Sequence, residues 1–252
     1  MPAPPPGGVV LTVYDRPLVR DADGSYRHTK GKPDDLSLTA PAGQRTTLWL
    51  TAEECASLIP ANPAKGATHD VPTNLMKRIY LFGCWPQSIW VVEGAWLPNS
   101  VREGNIKLTV EDVTPQTIRM RLHGAALLIG KNGHTKEVKE GETRYDARVE
   151  GVIVYDRSKK EITRWDMASL GDYSGEWFSQ NARWQLATPE SPLRLGVSFE
   201  LDQSDYAFPD RRRPRGFVHG YIFGGDRPGH EAQERWYWDP EKWEADWKKR
   251  QQ

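Results

Sequence analysis

Cysteine is scarce in this chain: Cys55 and Cys84 are the only two in 252 residues. That excludes a scaffold held by many disulfides and a four-cysteine zinc site. Charge of either sign is not in excess, with 34 acidic against 34 basic side chains. General polyanion binding through counterion release, and attraction to an anionic membrane surface, therefore lack support. No apolar run approaches the length that spans a bilayer. Hydrophobic residues make up 38% and mean hydropathy is −0.69, so the core has to come from a few well-patterned segments and from aromatic rings.

Two cysteines can still pair. Closing a loop of about 30 residues would stabilise the fold by roughly 3–4 kcal/mol in an oxidising compartment, with two free thiols as the equal alternative. The first eight residues, MPAPPPGG, read as a disordered Pro-rich leader without a hydrophobic signal core. Residues 9–252 read as a single β-rich domain, at the upper end of what one sandwich or barrel uses. An exported protein with its signal peptide removed and a cytoplasmic protein with a frayed start would both begin this way; eleven tryptophans and long polar loops tilt the expectation to export, periplasmic or extracellular.

Period-two alternation is the main structural signal. Residues 9–14 (VVLTVY) and 46–50 (TTLWL) suit strands. DADG and KGKPDD supply turn chemistry after residue 20. In DADGS the glycine comes fourth and Lys32 stands twelfth, which does not match a calcium loop. Thr51 followed by Glu54 is a capping box for a helix through about Leu58, and Thr73 is the expected cap of a second helix over 74–82, with Leu75, Ile79 and Phe82 on one face. Residues 88–93 read as a strand.

From there, Ile106, Leu108 and Val110 alternate with Lys107, Thr109 and Glu111. Ile118, Met120 and Leu122 oppose Arg119, Arg121 and His123, while Tyr145, Ala147, Val149 and Ile153 oppose Arg144, Asp146, Arg148 and Glu150. Turns at Pro115 and at DRSKK (156–160) join these runs into a meander that should curl. LGDYSGEW, with Gly171 and Gly175, reads as the loop that ends the next strand. Residues 195–201 and 216–224 are later strands, and Asp239 with Pro240 opens a C-terminal helix striped by Trp243 and Trp247.

The block RYDARVEGVIVYDRSKKEITRWDMASLGDYSGEW, over 144–177, resembles uncharacterised bacterial exported proteins that share a YDR turn, a TR-aromatic-D strand and an LGD-x-x-G segment. LTVEDVTPQTIRMRLHGAALL, just before it, is similar to the corresponding segment of those proteins. The resemblance covers about a third of the chain; it implies export and a shared β scaffold, and no activity.

Several constellations carry candidate chemistry. Arg119, Arg121, His123, Arg148 and Arg164 share the polar side of the meander and would clamp an anion if that side faced inward. Facing outward, they would make ordinary cross-strand ion pairs with the interspersed acids. Asp166, Asp172 and Glu176 are a candidate catalytic carboxylate set for a hydrolase, although carboxylates also cap turns and the segment lacks the spacing of a nucleophile elbow. His219, Asp226 and His230 could converge on a metal, yet none of the six histidines falls into a recognised ligand motif. Trp165, Trp177, Trp236 and Trp238 offer ring faces for a carbohydrate or a protein partner, and rings also fill cores short of aliphatic volume. RRRPR at 211–215 is the one dense basic run, partly neutralised by Asp202, Asp205 and Asp210, with no aromatic interleaving that would suit nucleic acid.

The expected fold is mainly β: a curved antiparallel sheet or incomplete barrel with two short helices in the N-terminal half and one at the C-terminus. The leading functional expectation is a non-catalytic exported binding or scaffold protein using Trp-rich loops, with no cofactor, no nucleic acid and no membrane span. The alternative is a hydrolase using the carboxylates or the histidine metal site.

Overall fold

Among the described residues, the runs in which apolar side chains recur at every second position are strands. The computed structural model describes residues 7–28, 44–86, 96, 100–130, 143–179 and 182–203. Its strands are β1 (Val9–Arg20), β2 (Tyr26–His28), β3 (Gln44–Leu50), β4 (Thr68–Asp70), β5 (Val101–Val113), β6 (Thr117–Gly130), β7 (Thr143–Asp156), β8 (Glu161–Ser179), β9 (Ala182–Ala187) and β10 (Leu193–Leu201). All pairings are antiparallel, in the order β2-β1-β10-β8-β7-β6-β5-β4, with β3 also on β1 and β9 also on β8. The eight-strand path curls into a half-barrel.

The alternation seen in the sequence sorts the two faces. Ile106, Leu108, Val110, Ile118, Met120, Leu122, Tyr145, Ala147, Val149, Ile153, Trp165, Met167, Leu195, Val197 and Phe199 are all buried. They form one continuous core with residues of the helical segment. The polar side of the meander therefore faces outward to solvent, and an anion cup with that side turned inward is not what forms.

The helical segment sits inside the curl. α1 (Ala52–Ser57) starts at Thr51, whose Oγ1 accepts from the Glu54 N–H while the Glu54 carboxylate accepts from the Thr51 N–H. A cap of this kind contributes about 1 kcal/mol. α2 (Thr73–Arg78) begins one residue earlier than the sequence suggests, with Pro72 at the cap and Thr73 already helical. It runs on as a π turn, Ile79–Gly83. The extra residue in that turn rotates the buried stripe, so Tyr80 and Leu81 join Leu75 and Ile79 in the core while Phe82 is left half-buried.

Contacts of this segment show why the sheet must curve. The Arg78 guanidinium donates to the Trp49 carbonyl on β3, and the Tyr80 hydroxyl donates to the Asn105 carbonyl on β5. At Gly83 an added Cβ would lie 2.3 Å from the Phe199 ring on β10. One short segment thus touches β3 beside β1, then β10 and, four strands further along the path, β5, as a curled sheet permits.

LGDYSGEW is not a loop. β8 continues straight through it, pairing with β7 and β10 and then with β9. Gly171 is there for close approach: a Cβ would lie 2.3 Å from the Asp146 carbonyl and 2.6 Å from the Tyr145 ring. Gly175 takes φ 145° beside the irregularity where β9 pairing begins.

Both cysteines are buried free thiols. The DADG turn and the DRSKK turn form as expected, the latter with Asp156 Oδ1 accepting from the Ser158 and Lys159 N–H groups. The strand expected at 88–93, most of the Pro-rich leader, the strand at 216–224 and the C-terminal helix lie outside the described residues.

Candidate functional site

Pairing register arranges the outer face into rows that cross the strands. One row reads Asn105, Ala125, Arg148, Leu170, Gly196 and Arg16. The next runs Lys107, His123, Glu150, Ala168, Ser198 and Tyr14, and the one after it Thr109, Arg121, Val152, Asp166, Glu200 and Thr12. Adjacent members of a row have Cβ atoms about 4.5–5.5 Å apart, so these rows decide which charges meet.

Most of them meet an opposite charge. Arg119 bonds Glu111 at 2.9 Å and Arg121 bonds Glu150 at 3.0 Å. Arg144 holds Asp146 at 3.2 Å, Arg164 holds its neighbour Asp166, and Arg194 holds Asp172 at 3.1 Å while lying over the Tyr26 ring. These pairs are largely exposed, so each is worth at most a few tenths of a kcal/mol. On β7, β8 and β10 two outer-face charges stand apart: among the described residues, neither Arg148 nor Glu200 has an ion-pair or side-chain hydrogen-bond partner.

Between the second and third rows the face dips. A depression of about 540 Å³, open to solvent, is lined by Glu111, Arg121, Glu150, Arg164, Asp166 and Glu200 over a floor that includes Gly151, Val152, Ala168 and Ser198. The dip has a simple origin, since small side chains stand where their flanking neighbours are long. Five of its six ionisable groups are paired. Glu200 lies directly opposite Asp166, and like charges so placed repel.

Of the carboxylates singled out from sequence, Asp166 and Asp172 do not converge. Asp166 and Asp172 share a face of β8 but are six residues apart, roughly 20 Å along a strand, beyond the separations used in glycoside hydrolysis. Glu176 is placed by its backbone alone, opposite Gln185. Register creates two other carboxylate pairs, Asp146 with Asp172 and Asp166 with Glu200. Both lie on open surface, without a cleft to exclude water.

Trp165 faces inward and is fully buried, so it cannot stack on a ligand. Arg164 and Asp166 on either side of it already signalled that orientation in the sequence. Trp49, Trp85 and Trp96 are likewise in the core, with Trp85 and Trp96 edge to face at 5.7 Å. Trp177 is placed by its backbone opposite Trp184. Trp236, Trp238, His219, Asp226, His230 and the RRRPR run lie outside the described residues. Among the described residues no group of three His, Cys, Asp or Glu is arranged to hold a metal, and no helix is long and apolar enough to cross a membrane.

Comparison with protein families, characterised proteins and solved structures finds no match to this chain. Its function has to be read from its own geometry. The residues of the depression that sequence reasoning missed are Glu111, Ala168, Ser198 and Glu200. Parity along β5, β8 and β10 tells which face each takes, but only register tells that they surround one hollow.

Proposed function

We propose that the protein is a non-catalytic exported binding protein that takes a protein partner on the outer face of its curled sheet. The observation that carries this reading is the depression over Gly151, Val152, Ala168 and Ser198, a concave patch on a face where many of the charges are paired within the chain. A protein partner fits this face better than a sugar. Every tryptophan whose side chain is described is core material, and among the described residues the exposed large apolar side chains are Tyr26 and Leu170, so this face itself offers few rings for stacking. Export rests on the resemblance of the 144–177 block and on composition.

For a carboxylate hydrolase, Asp166 and Asp172 stand roughly 20 Å apart along β8, wider than the separations used in glycoside hydrolysis. A direct test offers the purified protein a displayed library of short random peptides and, in parallel, a glycan array. The expected result is a set of peptides whose binding is abolished by Ala168→Arg, which fills the hollow from its floor. Binding of glycans alone, or of peptides indifferent to Ala168→Arg, overturns the reading.

A further inference from the structure

Among the described outer-face charges of β7, β8 and β10, two are unlike the rest. Glu111, Arg121, Glu150, Arg164 and Asp166 are satisfied within the chain, whereas Glu200 and Arg148 are exposed and without partners among the described residues. Their neighbours explain why. Arg148 sits between Ala125 and Leu170 across the sheet, neither of which can accept a hydrogen bond through its side chain. Glu200 faces Asp166 on one side and the buried Thr12 on the other.

The two are two strands apart laterally and four residues apart along the strand, a separation of roughly 16 Å. That is too far for them to neutralise each other and beyond a Debye length at physiological salt. Each is therefore a separate electrostatic demand of opposite sign on one open face.

Building on the proposed reading of this face as a partner surface, we infer that the partner is a protein segment carrying a basic side chain that enters the depression to meet Glu200 and an acidic side chain that meets Arg148. A guanidinium or ammonium between Asp166 and Glu200 removes the repulsion across that row, and Arg121 and Arg164 stay occupied by their own carboxylates. On the other arm, Arg148 offers a fork to a carboxylate, beside Leu170, whose exposed surface gives an apolar contact. In an extended segment the two partner charges stand about five residues apart. Nucleic acid and anionic polysaccharide supply the acidic arm alone and do not meet Glu200.

The test uses the short peptides selected from the displayed library, in fluorescence anisotropy against the full chain and three variants. Peptides that depend on the depression are expected to be enriched in a basic and an acidic residue about five positions apart. Glu200→Gln and Arg148→Gln should each weaken them roughly tenfold or more, the double variant should multiply the two losses, and rising salt should mimic both. If the selected peptides are lost on Ala168→Arg but indifferent to Glu200→Gln and Arg148→Gln, the charge pairing is wrong and the binding face survives. If Ala168→Arg leaves them bound, or the library yields no binder, the face itself is wrong and the inference falls with it.

Discussion

Glu54 and Arg78 join the two short helices through a buried ion pair. The Arg78 side chain is 1% exposed, and one oxygen of Glu54 takes its guanidinium while the other accepts the Thr51 N–H at 2.9 Å. A single carboxylate thus starts α1 and anchors the end of α2, and Arg78 passes the connection on to the Trp49 carbonyl of β3.

Removing that carboxylate should be expensive. Glu54→Ala strands a buried cation and breaks the capping box, so a loss of about 3–5 kcal/mol is expected in chemical denaturation. Arg78→Met, which removes the buried charge and keeps volume, should cost less than Glu54→Ala. The reverse ranking would mean that the pair is not buried as described.

An exposed pair makes the contrast. Arg121 and Glu150 are 56% and 59% exposed, and Glu150→Gln should change stability by less than about 1 kcal/mol. Denaturant midpoints of the variant and its parent in the same buffer decide the point.

Alkaline pH should weaken the fold. Burial pushes the Cys84 thiol up to about 12 and the Cys55 thiol, with help from nearby Glu54, to about 12, and desolvation also raises the phenols of Tyr80 and Tyr145. A folded-state pKa raised above the unfolded one gives stability that is intact below the unfolded value and lost as pH climbs towards the folded value. The window therefore opens near pH 9 and extends to about 12, with a slope of about 1 kcal/mol per pH unit for each thiol. Stability measured across that range should fall, and Cys84→Ala should make the fall shallower. In the same vein, a thiol-disulfide dye at about pH 8 should find no reactive thiol in the native protein and both after denaturation.

Gly171 has no room for a side chain. Gly171→Ala drives a Cβ into the Asp146 carbonyl and the Tyr145 ring, and should cost about 1–3 kcal/mol. Tyr145 is held in place by a hydrogen bond to the Leu195 carbonyl and another with Ser169, so the ring cannot simply turn aside. A thermal midpoint unchanged in this variant would contradict the packing.

How much of this was legible without coordinates varies by element. The strands β5, β6 and β7 follow from alternation alone, because a sheet with one wet face needs it: Ile118, Met120 and Leu122 point in as Arg119 and Arg121 point out. The α1 cap follows from Thr51 and Glu54. Gly171 was misleading, since with Asp172, Ser174 and Gly175 it makes a cluster of turn residues, and here its reason lies on the neighbouring strand in Tyr145. The π turn was hidden for a similar cause, as tertiary contacts of Tyr80 and Leu81 decide it. The depression was least visible of all. Glu111, Arg121, Ala168 and Glu200 are spread over four strands, and a slip of register would scatter them.

One end of the strand path closes with β4, just three residues long. Together with the Gly66 and Ala67 backbone before it and Val71 after it, this patch hydrogen-bonds the outer rim of β5 from Ile106 to Val110. Those are the residues whose apolar side chains make β5 a good template for a foreign strand. A few residues of the chain's own backbone thus act as a selvedge, and damage there would show first as self-association of otherwise native molecules, before any loss of fold.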